Sequence, residues 1–73
     1  MLLNEIKEKN IFKITEISKK AEVDRLSDLG FSVGASLSVL SITKGMFLVQ
    51  IKNSVYAIND ILAGLIAVEK SDR

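Results

Sequence analysis

The sequence predicts a mainly β domain, a small barrel of about five short, bent strands with one α-helix at about 19–29 and one helical turn at about 60–63. Three observations carry that prediction. Apolar residues alternate with polar ones over stretches of five to eight residues. Glycines 30, 34, 45 and 64 fall where the alternation breaks. No βαβ spacing is present, and strands this short favour a curled or closed sheet, because closure removes exposed edges.

Taken in order, Ile11, Phe12, Lys13, Ile14, Thr15, Glu16 and Ile17 alternate broadly and read as a strand. Phe12, Ile14 and Ile17 are its expected buried members, and Ile11 a second-face contact. Ser18 is an expected N-cap for the helix, in which Val23, Leu26 and Leu29 recur at spacing three and line one face. Glu22, Asp24, Arg25 and Asp28 line the other. Gly30 then suits a left-handed C′ position, with Phe31 folding back on Leu26.

Ser32-Val33-Gly34-Ala35 suits a type II turn, whose third residue needs positive φ. From 36 to 43 the alternation slips at Val39-Leu40, which predicts a strand with a bulge or sharp bend. Lys44-Gly45 makes the next turn, and 46–52 is a strand with Phe47, Val49 and Ile51 on one side. A two-residue loop at Asn53-Ser54 is expected to pair Ile51 with Tyr56 and Val49 with Ile58. Asn59 is an expected N-cap for the turn at 60–63, Gly64 stops it, and 65–69 is a last strand with Ile66 and Val68 inward. One domain is expected over 1–70, with Ser71, Asp72 and Arg73 a frayed tail.

Composition narrows the function. The 73 residues carry ten Lys plus Arg against nine Asp plus Glu, a formal charge of +1, which removes the simplest electrostatic case for nucleic acid or an anionic membrane. Without cysteine or histidine there is no disulfide, thiol nucleophile, imidazole base or ordinary zinc site. The longest apolar stretch, 61–68 with a glycine inside, is far short of the ~20 residues of a membrane span. With no export signal visible at the N-terminus, the expected location is the cytoplasm, without membrane insertion.

The remaining candidate sites are thin. The carboxylates all fall in solvent-facing positions, which serves acid–base chemistry poorly at neutral pH. Asp24 and Asp28 share a helix face at i,i+4, but two carboxylates beside Arg25 fall short of a coordination set. Lys7 and Lys9 alternate with Glu5 and Glu8, and Lys19-Lys20 precede Glu22 and Asp24. No one-sign stripe forms, and Phe12, Phe47 and Tyr56 are expected in the core, so no RNA-stacking platform is left. No catalytic residue, metal ligand or cofactor is expected.

The signal that remains is surplus apolar surface. Only about half of a single helical turn can face the barrel, yet Ile61, Leu62 and nearby Leu65 are all large and apolar. With Met46 at the neighbouring turn, they form the expected partner interface.

The stretch Arg25-Leu26-Ser27-Asp28-Leu29-Gly30-Phe31 followed by Gly34, together with Ala57-Ile58 followed by Ala63, Ile66 and Val68, resembles the FeoA family. These are the small SH3-like proteins of bacterial ferrous-iron uptake, and the same module closes DtxR-type metal-dependent repressors. The resemblance spans about residues 3–68. It implies an SH3-like barrel tied to iron and transition-metal homeostasis. It also implies a non-enzymatic cytosolic accessory protein that docks onto the GTP-hydrolysing cytosolic part of the membrane transporter FeoB. Three features depart from the family pattern: Val33 stands where proline is frequent, Asn59 where arginine follows the "AL" pair, and Ile61-Leu62 where the helical turn is usually acidic. The motif positions are caps, turns and core, so they speak to fold more than to activity. Self-association is a further expectation, and the competing class is a metal-regulator-type or RNA-associated barrel module.

Overall fold

A computed structural model describes residues 1–71; of the tail expected at 71–73, Ser71 donates its N–H to Ile11 O at 3.0 Å, and 72 and 73 lie outside the described residues, as does the side chain of Val23. A 3-10 turn at Leu3–Glu5 precedes β1 (Ile11–Ile17), α1 (Val23–Leu29), β2 (Ser36–Thr43), β3 (Met46–Ile51), β4 (Ser54–Asn59), α2 (Asp60–Ala63) and β5 (Ile66–Lys70). The five strands form one antiparallel sheet in the order β4-β3-β2-β1-β5. Among the described residues β4 and β5 do not pair with each other. The sheet is instead curled, with α2 touching β4 and β3 on one side and the 3-10 turn on the other, and that turn touching β5.

Strand alternation builds the core directly. Phe12 and Ile14 of β1, Leu37 and Val39 of β2, Phe47, Val49 and Ile51 of β3, Ile58 of β4 and Ile66 and Val68 of β5 all point inward and are buried. Leu3, Ile6, Leu26, Phe31 and Ala63 close the same cluster. Ile17 is only partly buried and Ile11 stays exposed.

The curl comes from irregularities in the ladders. Register shifts occur between Val39 and Ser41 opposite β3, as the break in alternation predicts, and between Ile14 and Glu16 opposite β5. Each places an unpaired residue in one strand, which bends it and sharpens its twist. The type II turn forms as expected: Ala35 N–H donates to Ser32 O at 3.0 Å, and Gly34 has φ 94°.

Two expectations need correction. The helix begins at Val23, not 19. The Ser18 hydroxyl accepts from the N–H of Lys20 at 3.2 Å and its carbonyl from Ala21 at 3.1 Å, so it closes a tight turn instead of capping a helix. Ser18 N–H also donates to Leu65 O at 2.8 Å, which holds the chain against the start of β5 before α1 can begin.

The β3–β4 hairpin turns on Lys52 and Asn53, with φ 49° and 70°, so Ile51 faces Ser54, Val49 faces Tyr56 and Phe47 faces Ile58. Two successive left-handed residues are the signature of a type I′ loop, whose twist matches that of the strands. The observed register is displaced by two residues from the expected one. An even displacement leaves every side chain on its expected face.

Candidate functional site

α2 is short but firmly placed. Asn59 caps it as expected, its Oδ1 accepting the N–H of Leu62 at 2.8 Å. The N–H of Asp60 donates to Gly45 O at 3.0 Å, fastening the helix to the β2–β3 turn. This orientation turns Ala63 fully into the core, leaves Leu62 packed on its margin, and sets Ile61 outward at 78% exposure. Leu65, just past the helix, is half-buried.

α1 faces this turn across an open groove of about 420 Å³. Its apolar lining is Ala21, Leu26 and Leu29 from the α1 side and Ile61, Leu62 and Leu65 from the α2 side. Lys20, Glu22, Arg25 and Asn59 complete it. Arg25 Nη1 lies 3.5 Å from Glu22 Oε1, an exposed ion pair of little consequence for stability.

Three of the four sequence-predicted interface residues, Ile61, Leu62 and Leu65, therefore come together. Met46 does not line the groove; it sits in the sheet between Thr43 and Asn59, 40% exposed. Leu29 is a groove residue that pattern reading assigns to the core. It is 39% exposed, at the last residue of α1, directly before the Gly30 cap where the chain leaves the helix. Its signal in the sequence was position: a periodic leucine directly before the terminating glycine.

That termination is a Schellman motif. Gly30, at φ 106°, donates its N–H to Ser27 O at 3.0 Å, and Phe31 N–H donates to Leu26 O at 2.8 Å. Both Phe31 and Leu26 are buried, the hydrophobic accompaniment expected of such a cap.

Each described Asp and Glu is exposed, and no polar or charged residue among those described is buried. Asp24 and Asp28 stand exposed on α1, and among the described residues no group of three or more Asp, Glu, His or Cys is placed to hold a metal ion. No described helix is long and apolar enough to cross a membrane.

A curled five-stranded sheet of this kind, with an apolar groove at the side of its two short helices, is a small SH3-like domain. The family model for the FeoA domain matches residues 1–70, and the chain belongs to the FeoA family. It is similar to the FeoA protein of Chlorobium tepidum at 27% identity and a TM-score of 0.82, over 96% of this chain and 70% of that one. An iron uptake regulatory protein (FeoA) matches at 24% identity and a TM-score of 0.82, over 97% of this chain and 96% of the other. The manganese regulator SloR shares the fold at 14% identity and a TM-score of 0.85, over 97% of this chain. Against that regulator the chain spans about a third of the length, 34%. No curated protein matches the chain in sequence.

Proposed function

We propose that this chain is a non-enzymatic cytoplasmic accessory protein of ferrous-iron uptake, which docks onto the cytosolic part of a FeoB-like membrane GTPase transporter and modulates it. Membership of the FeoA family supports the role in iron uptake. The observation that carries the docking surface is Ile61. A large aliphatic side chain is held 78% exposed on a capped helical turn, beside a groove already lined by Leu29, Leu62 and Leu65.

Burying one such side chain contributes about 1.5–3 kcal/mol, so Ile61 and its half-exposed neighbours suffice to anchor a modest interface. With Arg25 paired to Glu22, Lys20 leaves the groove one net positive charge, which favours approach of an acidic partner surface more than it strengthens the complex.

The test is capture of this chain by the purified cytosolic part of the transporter. Ile61→Lys is the informative variant, because Ile61 makes little contribution to the core, whereas Leu62 packs against it. A folded Ile61→Lys protein is expected to bind at least tenfold more weakly, the loss of about 1.4 kcal/mol. Undiminished binding excludes the groove as the docking surface.

A further inference from the structure

The two edges of the sheet are treated differently. β5 is covered along its outer side by the N-terminal residues: Leu2 bridges Ala67, Val68 N–H donates to Met1 O at 2.7 Å, and the terminal ammonium of Met1 donates to Val68 O at 3.1 Å. β4 has no such cover. A two-residue hairpin closes on a hydrogen-bonded pair, here Ile51 and Ser54, so Val49–Tyr56 and Phe47–Ile58 are bonded pairs as well. It follows that the N–H and C=O groups of Val55 and Ala57 point away from β3, and among the described residues no backbone partner meets them.

Natural sheets blunt such an edge with lysine, proline or an inward charge. From Ser54 to Asn59 this strand has none of these. Its outward side chains are Val55, 51% exposed, and Ala57, which faces the exposed Leu48 of β3.

We propose that β4 is a self-pairing edge, and that a second copy of this chain adds to it antiparallel about a two-fold axis at Tyr56. That register sets Val55 of each copy opposite Ala57 of the other, so their free N–H and C=O groups satisfy one another. It also keeps inward faces aligned with inward faces. The charges at the two ends of the strand select this occupant. Lys52 precedes β4 and Asp60 follows it, both exposed. Lys52 lies in the hairpin turn and Asp60 opens α2, so with Tyr56 at the axis the positive end of each copy's strand lies beside the negative end of the other's, flanking an uncharged centre. Because the β5 edge is covered, assembly stops at two copies and cannot propagate as a fibre.

A six-residue strand edge covers well under the ~800 Å² per partner of a standard interface, so the dimer is weak and is sought at chain concentrations up to about 1 mM. Sedimentation equilibrium of the full chain at low salt is expected to show the 8.0 kDa monomer passing to a dimer and no further. Asp60→Lys and Lys52→Asp are each expected to raise the dissociation constant at least tenfold, and the double charge swap to restore it. Val55→Lys, on the outer face, is expected to abolish pairing without unfolding the domain. A chain that stays monomeric at every concentration overturns the proposal. So does a dimer indifferent to Val55→Lys, one the charge swap fails to restore, or growth beyond two copies.

Discussion

Lys52 lies across Gly30: a Cβ placed on the glycine falls 3.2 Å from Lys52 Cδ and 3.7 Å from Ile51 Cγ1. The end of α1 and the β3–β4 turn are thus in contact through the one glycine whose left-handed conformation caps the helix. For Gly30→Ala, the left-handed backbone alone costs about 1–2 kcal/mol, and the flexible lysine stem adds little by giving way. In a domain of this size, each kcal/mol moves the thermal midpoint by about 4–8 °C. Urea denaturation is expected to show a lower midpoint with an unchanged slope, and Gly30→Asn a smaller loss.

Gly64 looks equivalent in the sequence, a glycine ending a helical turn, but its φ is −72°, open to any residue. What sits close to it is Asn4, whose Nδ2 would lie 2.8 Å from a new Cβ. That amide makes only a long, exposed bond to Asp60 O at 3.4 Å and can swing away. Gly64→Ala also restricts the unfolded chain, worth about 0.4–1 kcal/mol in favour of folding. The net change is expected within about 0.5 kcal/mol of zero, and a loss as large as that of Gly30→Ala would show that Asn4 is fixed.

Asn59→Ala removes the side-chain acceptor of the Leu62 N–H and is expected to cost about 1 kcal/mol, with Asn59→Asp close to wild type. Because this cap orients Ile61 and Leu62, amide exchange at 60–65 is expected to accelerate more than exchange in β2 and β3.

The β framework was legible because its signals are local. Alternation in β1 and β3, the slip at Val39-Leu40 and the glycines at 30 and 34 each determine structure within a few residues of themselves. What stayed hidden depends on distant partners. Nothing near Ser18 announces that its N–H is held by Leu65, ahead of an α1 that begins only at Val23, and nothing near Leu29 announces that it lines the groove instead of the core. A lysine at φ 49° likewise gives no turn signal of its own, so the hairpin was expected one residue later than it occurs. The groove residues on α2 could be anticipated from surplus, since a four-residue helix cannot bury Ile61, Leu62 and Ala63 together.

Ile14 is fully buried at the centre of the cluster, in the strand that bridges β2 and β5. Ile14→Ala is expected to cost about 2–5 kcal/mol, comparable with the whole stability of a domain this small. Circular dichroism is expected to show a largely unfolded chain at 37 °C.

The most direct test of the docking surface is amide chemical-shift mapping of this chain as the cytosolic part of a FeoB-like transporter is added. Perturbations confined to 20–30 and 59–65, the two walls of the groove, are expected. Shifts centred instead on β1 and β5, with those two segments silent, would contradict it.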